Sequence, residues 1–393
     1  MRKNILCSGL AVMCMGILFT GCENTPVLTG TGAEIPIVEI ERHELPDNEA
    51  ISFAENLKIG WNLGNTLDST MYMQDESISE TAWGSPMITE EMILAVKKAG
   101  FNTIRLPISW HHHMNEDYTI SDIWLGRVKE IVDYAYKNGM YVIINIHHDI
   151  DKAYYYPSYE TLDSSLEFTG AVWTQLCEIF KDYDEHLIFE AINEPRLIGT
   201  DFEWWIDTNT DIGREAIDCI MQTNQAFVDL VRASGGSNAT RYLMTPSYCA
   251  SYKYACDDLF SLPDDPANRT IVSIHAYEPQ AFALDGNMNS SGFAIGRSSR
   301  TIDTLMDMIY EKFTSKGIPA VIGEFGARDK DNIEARITYA AYYVAAARAR
   351  GITCFWWDNH AVEGNGELFG LLDRDTLEWI YPDIVLAMMN NCE

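Results

Sequence analysis

Basic residues are scarce in this chain of 393 residues: 28 lysines and arginines stand against 58 aspartates and glutamates, a formal charge of −30 at pH 7. Such a chain repels polyanions, which argues against nucleic acid or an anionic membrane surface as a partner. No Gly-x-Ser-x-Gly elbow surrounds Ser69, Ser85 or Ser109, so a serine hydrolase is disfavoured. No glycine-rich phosphate loop follows the first apolar run, which counts against a doubly wound nucleotide fold. Neither a His-Glu-x-x-His helix nor a Cys-x-x-Cys pair occurs. The runs His111–His113 and His147-His148 are therefore not read as a metal site, because consecutive side chains diverge. Beyond residue 22, Cys177, Cys219, Cys249, Cys256, Cys354 and Cys392 fall largely in helix-like or strand-like patterns, as readily buried thiols as bridges.

What is present begins with an export pattern. Arg2 and Lys3 precede an apolar run, Ile5 to Phe19, that is short for a membrane span. It closes on Leu18-Phe19-Thr20-Gly21-Cys22, which resembles the lipobox of bacterial lipoproteins. The expectation is a signal peptide over 1–21, lipidation of Cys22, and an exported protein tethered to a bacterial membrane or cell surface by lipid alone. Residues 22–50 are rich in Thr, Pro, Gly and Glu and read as a flexible, solvated linker. Residues 51–393 are enough for one large domain with its own core.

Over that domain, short apolar runs alternate with helical patterns. Candidate strands are Leu57–Leu63, Thr103–Leu106, Tyr141–Ile146, Leu187–Ala191, Tyr242–Thr245, Ile271–Ile274, Ala320–Ile322 and Thr353–Trp357. Helical patterns cover Thr89–Ala99, Trp124–Asn138, Leu166–Tyr183, Ile212–Ala233, Thr301–Lys316 and Asn332–Arg350. Continuous apolar strands alternating with helices mean a parallel sheet covered on its outer face, and eight of them favour a closed single (β/α)8 TIM barrel.

Polar and aromatic residues gather where these strands stop, the end at which such barrels carry chemistry. They are Asn65 and Asp68, Arg105, His147 and His148, Asn193 and Glu194, His275 and Tyr277, Glu324, and Trp356, Trp357 and Asp358. Pro195 ends the fourth strand directly after Glu194. Two glutamates on one rim, Glu194 and Glu324, are placed to face each other across a sugar.

The motifs Gly60-Trp61-Asn62-Leu63-Gly64-Asn65-Thr66-Leu67-Asp68, Phe101-Asn102-Thr103-Ile104-Arg105-Leu106-Pro107, Asn145-Ile146-His147-His148-Asp149, Asn193-Glu194-Pro195, His275-Ala276-Tyr277, Ile322-Gly323-Glu324-Phe325-Gly326 and Trp356-Trp357-Asp358-Asn359 resemble, in this order, glycoside hydrolase family 5. They are closest to its endoglucanase and xyloglucanase branch, subfamily 4, and the resemblance runs from about Ile51 to the C-terminus. It implies a retaining endo-β-1,4-glucanase needing no metal or organic cofactor, with a β-glucan as substrate, and we expect a monomer.

In that mechanism Glu324 is the nucleophile and Glu194 the acid/base, their carboxyls roughly 5–5.5 Å apart. Repulsion between carboxylates so close is expected to raise one proton affinity and supply the acid. The resemblance further implies that Asn193 holds the sugar 2-hydroxyl, Arg105 keeps the nucleophile ionised, Tyr277 orients Glu324, and His275 lies near Glu194 or the substrate. Asn65, Asp68, His147 and His148 would reach sugar hydroxyls. Strand alternation lets one of Trp356 and Trp357 face the sugar, and matching Trp-Asp-Asn to the family favours Trp357. Xyloglucan, mixed-linkage β-glucan or mannan are the alternative substrates, set by the loops 154–165, 201–211 and 287–299. A glycan-binding protein without catalysis would lack a carboxylate, whereas both are present. Trp83, Trp110, Trp204, Trp205 and Tyr154–Tyr156 fall in loops after the first four strands, as an aromatic-rich cleft requires.

Overall fold

Eight strands close on themselves in sequence order, each parallel to its neighbours: β1 (Ile59–Leu63), β2 (Thr103–Leu106), β3 (Tyr141–Asn145), β4 (Leu187–Glu190), β5 (Leu243–Ser251), β6 (Thr270–His275), β7 (Ala320–Phe325) and β8 (Ile352–Asp358). The structure is a computed structural model that describes residues 28–364 and 366–393. The chain is the expected (β/α)8 barrel. Helices Glu90–Lys98, Asp122–Tyr136, Leu162–Ile179, Asp211–Ala233, Arg300–Lys312 and Ile333–Arg348 wrap it, each within a few residues of its predicted span. Thr89 caps its helix as expected, its side chain accepting from the Met92 amide. Among the described residues four further α-helices were not foreseen: Glu49–Asn56, Pro382–Met389 and the one-turn Tyr252–Ala255 and Gln280–Ala283.

The barrel interior is built in layers. Ile143, Ile188, Tyr242, Met244, Ile271, Val321 and Phe355 form one buried cluster with Phe53 and Leu57. Phe53, from the helix Glu49–Asn56, lies flat on Tyr242 with ring centroids 3.5 Å apart and closes the end of the barrel where the strands begin. Because side chains alternate along a strand, the residues two further on point inward one layer higher. These are Asn145, Glu190, Ser273, Gly323 and Trp357, and that layer is polar.

The expected solvated linker takes another form wherever it is described. Its side chains alternate between partly buried and exposed over 37–41, with Ile35, Val38 and Ile40 packed on the main core. The Val38 amide donates to Asn391 Oδ1 at 2.8 Å, the Asn391 amide donates to the Pro36 carbonyl at 3.0 Å, and the His43 amide to the Ala349 carbonyl at 2.7 Å. Thr31 reaches Asp383, whose Oδ1 accepts from the Thr31 amide at 3.0 Å. The apolar residues are enough to dock the strap, despite a composition that reads as linker. Asn391→Ala leaves the Val38 N–H and the Pro36 carbonyl without their partner, and is expected to cost about 1–2 kcal/mol in chemical denaturation. An unchanged midpoint would mean that the strap contributes no stability. The signal peptide and Cys22 lie outside the described residues.

Candidate active site

Arg105 organises the polar layer. Its guanidinium is fully buried and spends its donors on residues of β1, β4 and β7 and of the turn after β4: Nε to Glu190 Oε2 at 2.8 Å, Nη1 to Glu324 Oε1 at 2.8 Å and to Asn62 Oδ1 at 3.0 Å, and Nη2 to Asn193 Oδ1 at 2.7 Å. An arginine at this depth requires such pairing. Gly323 makes room for it: a Cβ there would sit 3.3 Å from His275 Nε2 and 3.6 Å from Arg105 Nε.

Glu324 reaches the site through an irregularity. Alternation alone would send it outward with Ile322, but the register shifts at the ends of β6 and β7 turn it into the mouth. Its Oε2 accepts from Tyr277 Oη at 2.9 Å, and burial with the nearby Glu324 charge pushes the Tyr277 hydroxyl well above its ordinary range, so Tyr277 stays a neutral donor. Glu194 stands opposite. Its Oε1 meets His275 Nδ1 at 2.9 Å, and Arg196 lies 3.4 Å from its Oε2. The ionisable atoms of Glu194, His275 and Glu324 all fall within 4.8 Å of one another. That suits a carboxyl spacing of roughly 5–5.5 Å and leaves no room for the wider pair that places a water between acid and base.

The expected elevation of the acid's proton affinity is corrected here. Burial raises the Glu194 carboxyl, but the hydrogen bond and charge of His275, then Arg196, outweigh it and the net direction is down. His275 moves the other way: burial opposes its charge, while Glu324 and the Glu194 hydrogen bond raise it. Glu194 and His275 thus hold one proton between them. The alkaline limb of kcat/KM is expected above the ordinary histidine value of about 6.5. His275→Asn leaves that proton to Glu194 alone, so the limb should move to lower pH. An unmoved limb in the pH–rate profile would dissociate His275 from the acid step.

The other residues separate into those that face the cleft and those that support it. Asn193 Oδ1 is committed to Arg105, leaving its amide N–H groups for a sugar hydroxyl. Asn145 Oδ1 accepts from the Ile108 amide, so its Nδ2 faces His147 Nδ1 at 3.0 Å, and His147 carries its proton on Nε2. Burial and the neighbouring His148 push His147 well below its ordinary range, so it is neutral. Trp357 lies parallel to the His147 ring with centroids 5.9 Å apart and packs over Gly64, where a Cβ would come within 2.7 Å of the indole. Trp356 instead is sealed in the core with Nε1 donating to the Phe369 carbonyl at 3.0 Å. It takes no direct part in the cleft. Asp68, also expected at the sugar, is fully buried and accepts from the amides of Asn65 at 3.1 Å and Thr66 at 2.6 Å. It fixes the turn that carries Asn65, with His148 Nε2 3.9 Å away. Of the loop aromatics, Trp83, Trp204 and Trp205 are exposed, whereas Trp110, Tyr155 and Tyr156 are packed inside. His111 and His113 are tied to Asp149 and Glu76 at 2.7 and 2.8 Å, leaving His112 exposed. All six described cysteines are free.

Sequence reasoning passed over Glu190, Ser273 and Arg196. An acid inside the apolar run Leu187–Ala191 was the available signal, since a buried carboxylate demands a partner.

Residues 68–363 match the family described as Cellulase (glycosyl hydrolase family 5). A mutant family 5 lichenase from Caldicellulosiruptor sp. F32, solved with cellotetraose, is 53% identical and superposes with a TM-score of 0.90 over 92% of this chain and 100% of that one. A GH5-4 broad specificity endoglucanase from Ruminococcus champanellensis, with bound cellotriose, is 43% identical with a TM-score of 0.81, over 88% of this chain and 100% of that one. Endoglucanase A of Clostridium longisporum is 42% identical over 346 residues, 86% of this chain and 65% of that protein.

Proposed function

Since this chain belongs to the cellulases of glycosyl hydrolase family 5, we propose that it is a retaining endo-β-1,4-glucanase working by double displacement. The observation that carries this reading is the meeting of Glu194 and Glu324 within 4.8 Å at the open end of the barrel. Glu324, held by Arg105 and Tyr277, attacks the anomeric carbon as the glycosidic C–O bond breaks. The leaving oxygen takes the proton that Glu194 shares with His275. Glu194 then removes a proton from the water that opens the glycosyl-enzyme, and the anomeric configuration is retained after two inversions. Asn193 donates to the 2-hydroxyl, His147 offers Nε2–H, and Trp357 lies beside the reacting sugar.

Mixed-linkage β-glucan is the second reading, favoured by the lichenase at 53% identity. A panel of carboxymethyl cellulose, barley β-glucan, tamarind xyloglucan, glucomannan and xylan separates them. Viscosity is expected to fall faster than reducing ends appear, with the β-anomer formed first by NMR. Initial release of the α-anomer would sink the retaining mechanism. Export through residues 1–21 and a lipid on Cys22, with the protein a monomer at the bacterial surface, belong to the same reading. Among the described residues no helix is long and apolar enough to cross a membrane. Mass spectrometry of the mature N-terminus, beside Cys22→Ala, tests it.

A further inference from the structure

Beneath the cleft, one guanidinium stands between two carboxylates, and only one of those faces the cleft. Arg105 gives Nη1 to Glu324 and, from its other edge, Nε to Glu190, each at 2.8 Å. Glu190 is sealed from solvent and held by two more donors, Ser273 Oγ to Oε1 at 2.5 Å and Asn145 Nδ2 to Oε2 at 3.0 Å. If the dry layer needed only an anion for Arg105, Glu324 would suffice. A second acid leaves the three groups with a net negative charge beside the reacting oxygen.

We propose that Glu190 is a positioning residue that sets the basicity of the nucleophile, drawing part of the Arg105 charge away from Glu324. With Glu190 neutral, the whole guanidinium charge would bear on Glu324 Oε1 and hold the lone pair that must pass to the anomeric carbon. The inference rests on Glu324 being the nucleophile. The other groups facing this pair are Asn62 from β1, His147 after β3, Asn193 and Glu194 after β4, His275 on β6 and Tyr277 beyond it. None of these groups is altered when Glu190 loses its charge without changing shape, so the change in field is the one made at Glu190.

The test is the pH dependence of kcat/KM for Glu190→Gln, whose acid limb reports ionisation of the free nucleophile. Two charges about 7 Å apart in a medium of effective dielectric near 20 interact strongly enough to move that limb by roughly one to two pH units, to lower pH. The rate at which a 2-deoxy-2-fluoro-glucosyl fluoride labels Glu324 should fall roughly three- to tenfold. Ser273→Ala keeps the Glu190 charge but removes a donor from it, so its limb should rise by a few tenths of a unit. An acid limb unmoved in Glu190→Gln, or lowered as much in Ser273→Ala, would overturn the proposal. Should Glu190→Gln not fold, Ser273→Ala alone decides, and no rise refutes it. Failure of the fluoro sugar to label Glu324 in the wild type would instead refute the nucleophile assignment itself.

Discussion

Replacing Glu324 with alanine is expected to abolish hydrolysis of β-glucan, with kcat/KM falling by about 10⁴-fold or more. The loss is this large because no other group can take over the bond to the anomeric carbon. The Asn193 Oδ1 is taken by Arg105, a guanidinium has no lone pair to give, and Glu194 is held by His275. The fold should survive, since Arg105 keeps Glu190 as counter-ion when Glu324 is gone. An unchanged far-ultraviolet dichroism beside the lost rate would show that chemistry and not stability has been removed. Azide, small enough for the vacated space, should restore turnover of a substrate with a good leaving group and give a glycosyl azide of inverted configuration. Substantial unaided activity in Glu324→Ala would end the two-glutamate account.

Glu194→Ala separates by substrate. On β-glucan the leaving sugar needs a proton, and loss of the group that supplies it should cost roughly 10²–10⁴-fold. On a dinitrophenyl cellobioside the departing phenolate needs none, so formation of the glycosyl-enzyme should proceed nearly as in the wild type, with a burst of phenolate. Its breakdown should be slow, because Glu194 also activates the water. A variant impaired equally on both substrates in the first step would mean that Glu194 binds sugar and does not transfer protons. His275→Asn differs in kind: it keeps the carboxyl and shifts the pH at which the proton is lost, since His275 only shares that proton.

The barrel was legible because its physics is local. Eight apolar runs separated by capped helices have few ways to bury both faces of a parallel sheet. The residues at the strand ends were legible because a polar cluster closing an apolar run has no packing explanation. Linker composition, in contrast, misled. Residues 28–48 look solvated, yet Ile35, Val38 and Ile40 find a groove beside the C-terminal helix and dock there. Composition describes a segment's own surface and says nothing of the surface it meets.

By itself the sequence determined the order of the strands and the placing of Glu194 and Glu324 at strand ends on one rim, since both follow from patterns a few residues long. Alternation also determined that one of two neighbouring tryptophans faces the cleft and the family resemblance favoured Trp357; the folded barrel has that parity, Phe355 and Trp357 inward and Trp356 outward. Tertiary structure alone decided the inward turn of Glu324, the transfer of Asp68 from sugar to backbone, and the clasp of Glu190 on Arg105. The reason is the same in each case. Local pattern fixes which residues share a strand face, whereas proton affinity, burial and partner choice are set by groups that the closed barrel brings together from strands 85 residues apart, as for Arg105 and Glu190, or 219 apart, as for Arg105 and Glu324.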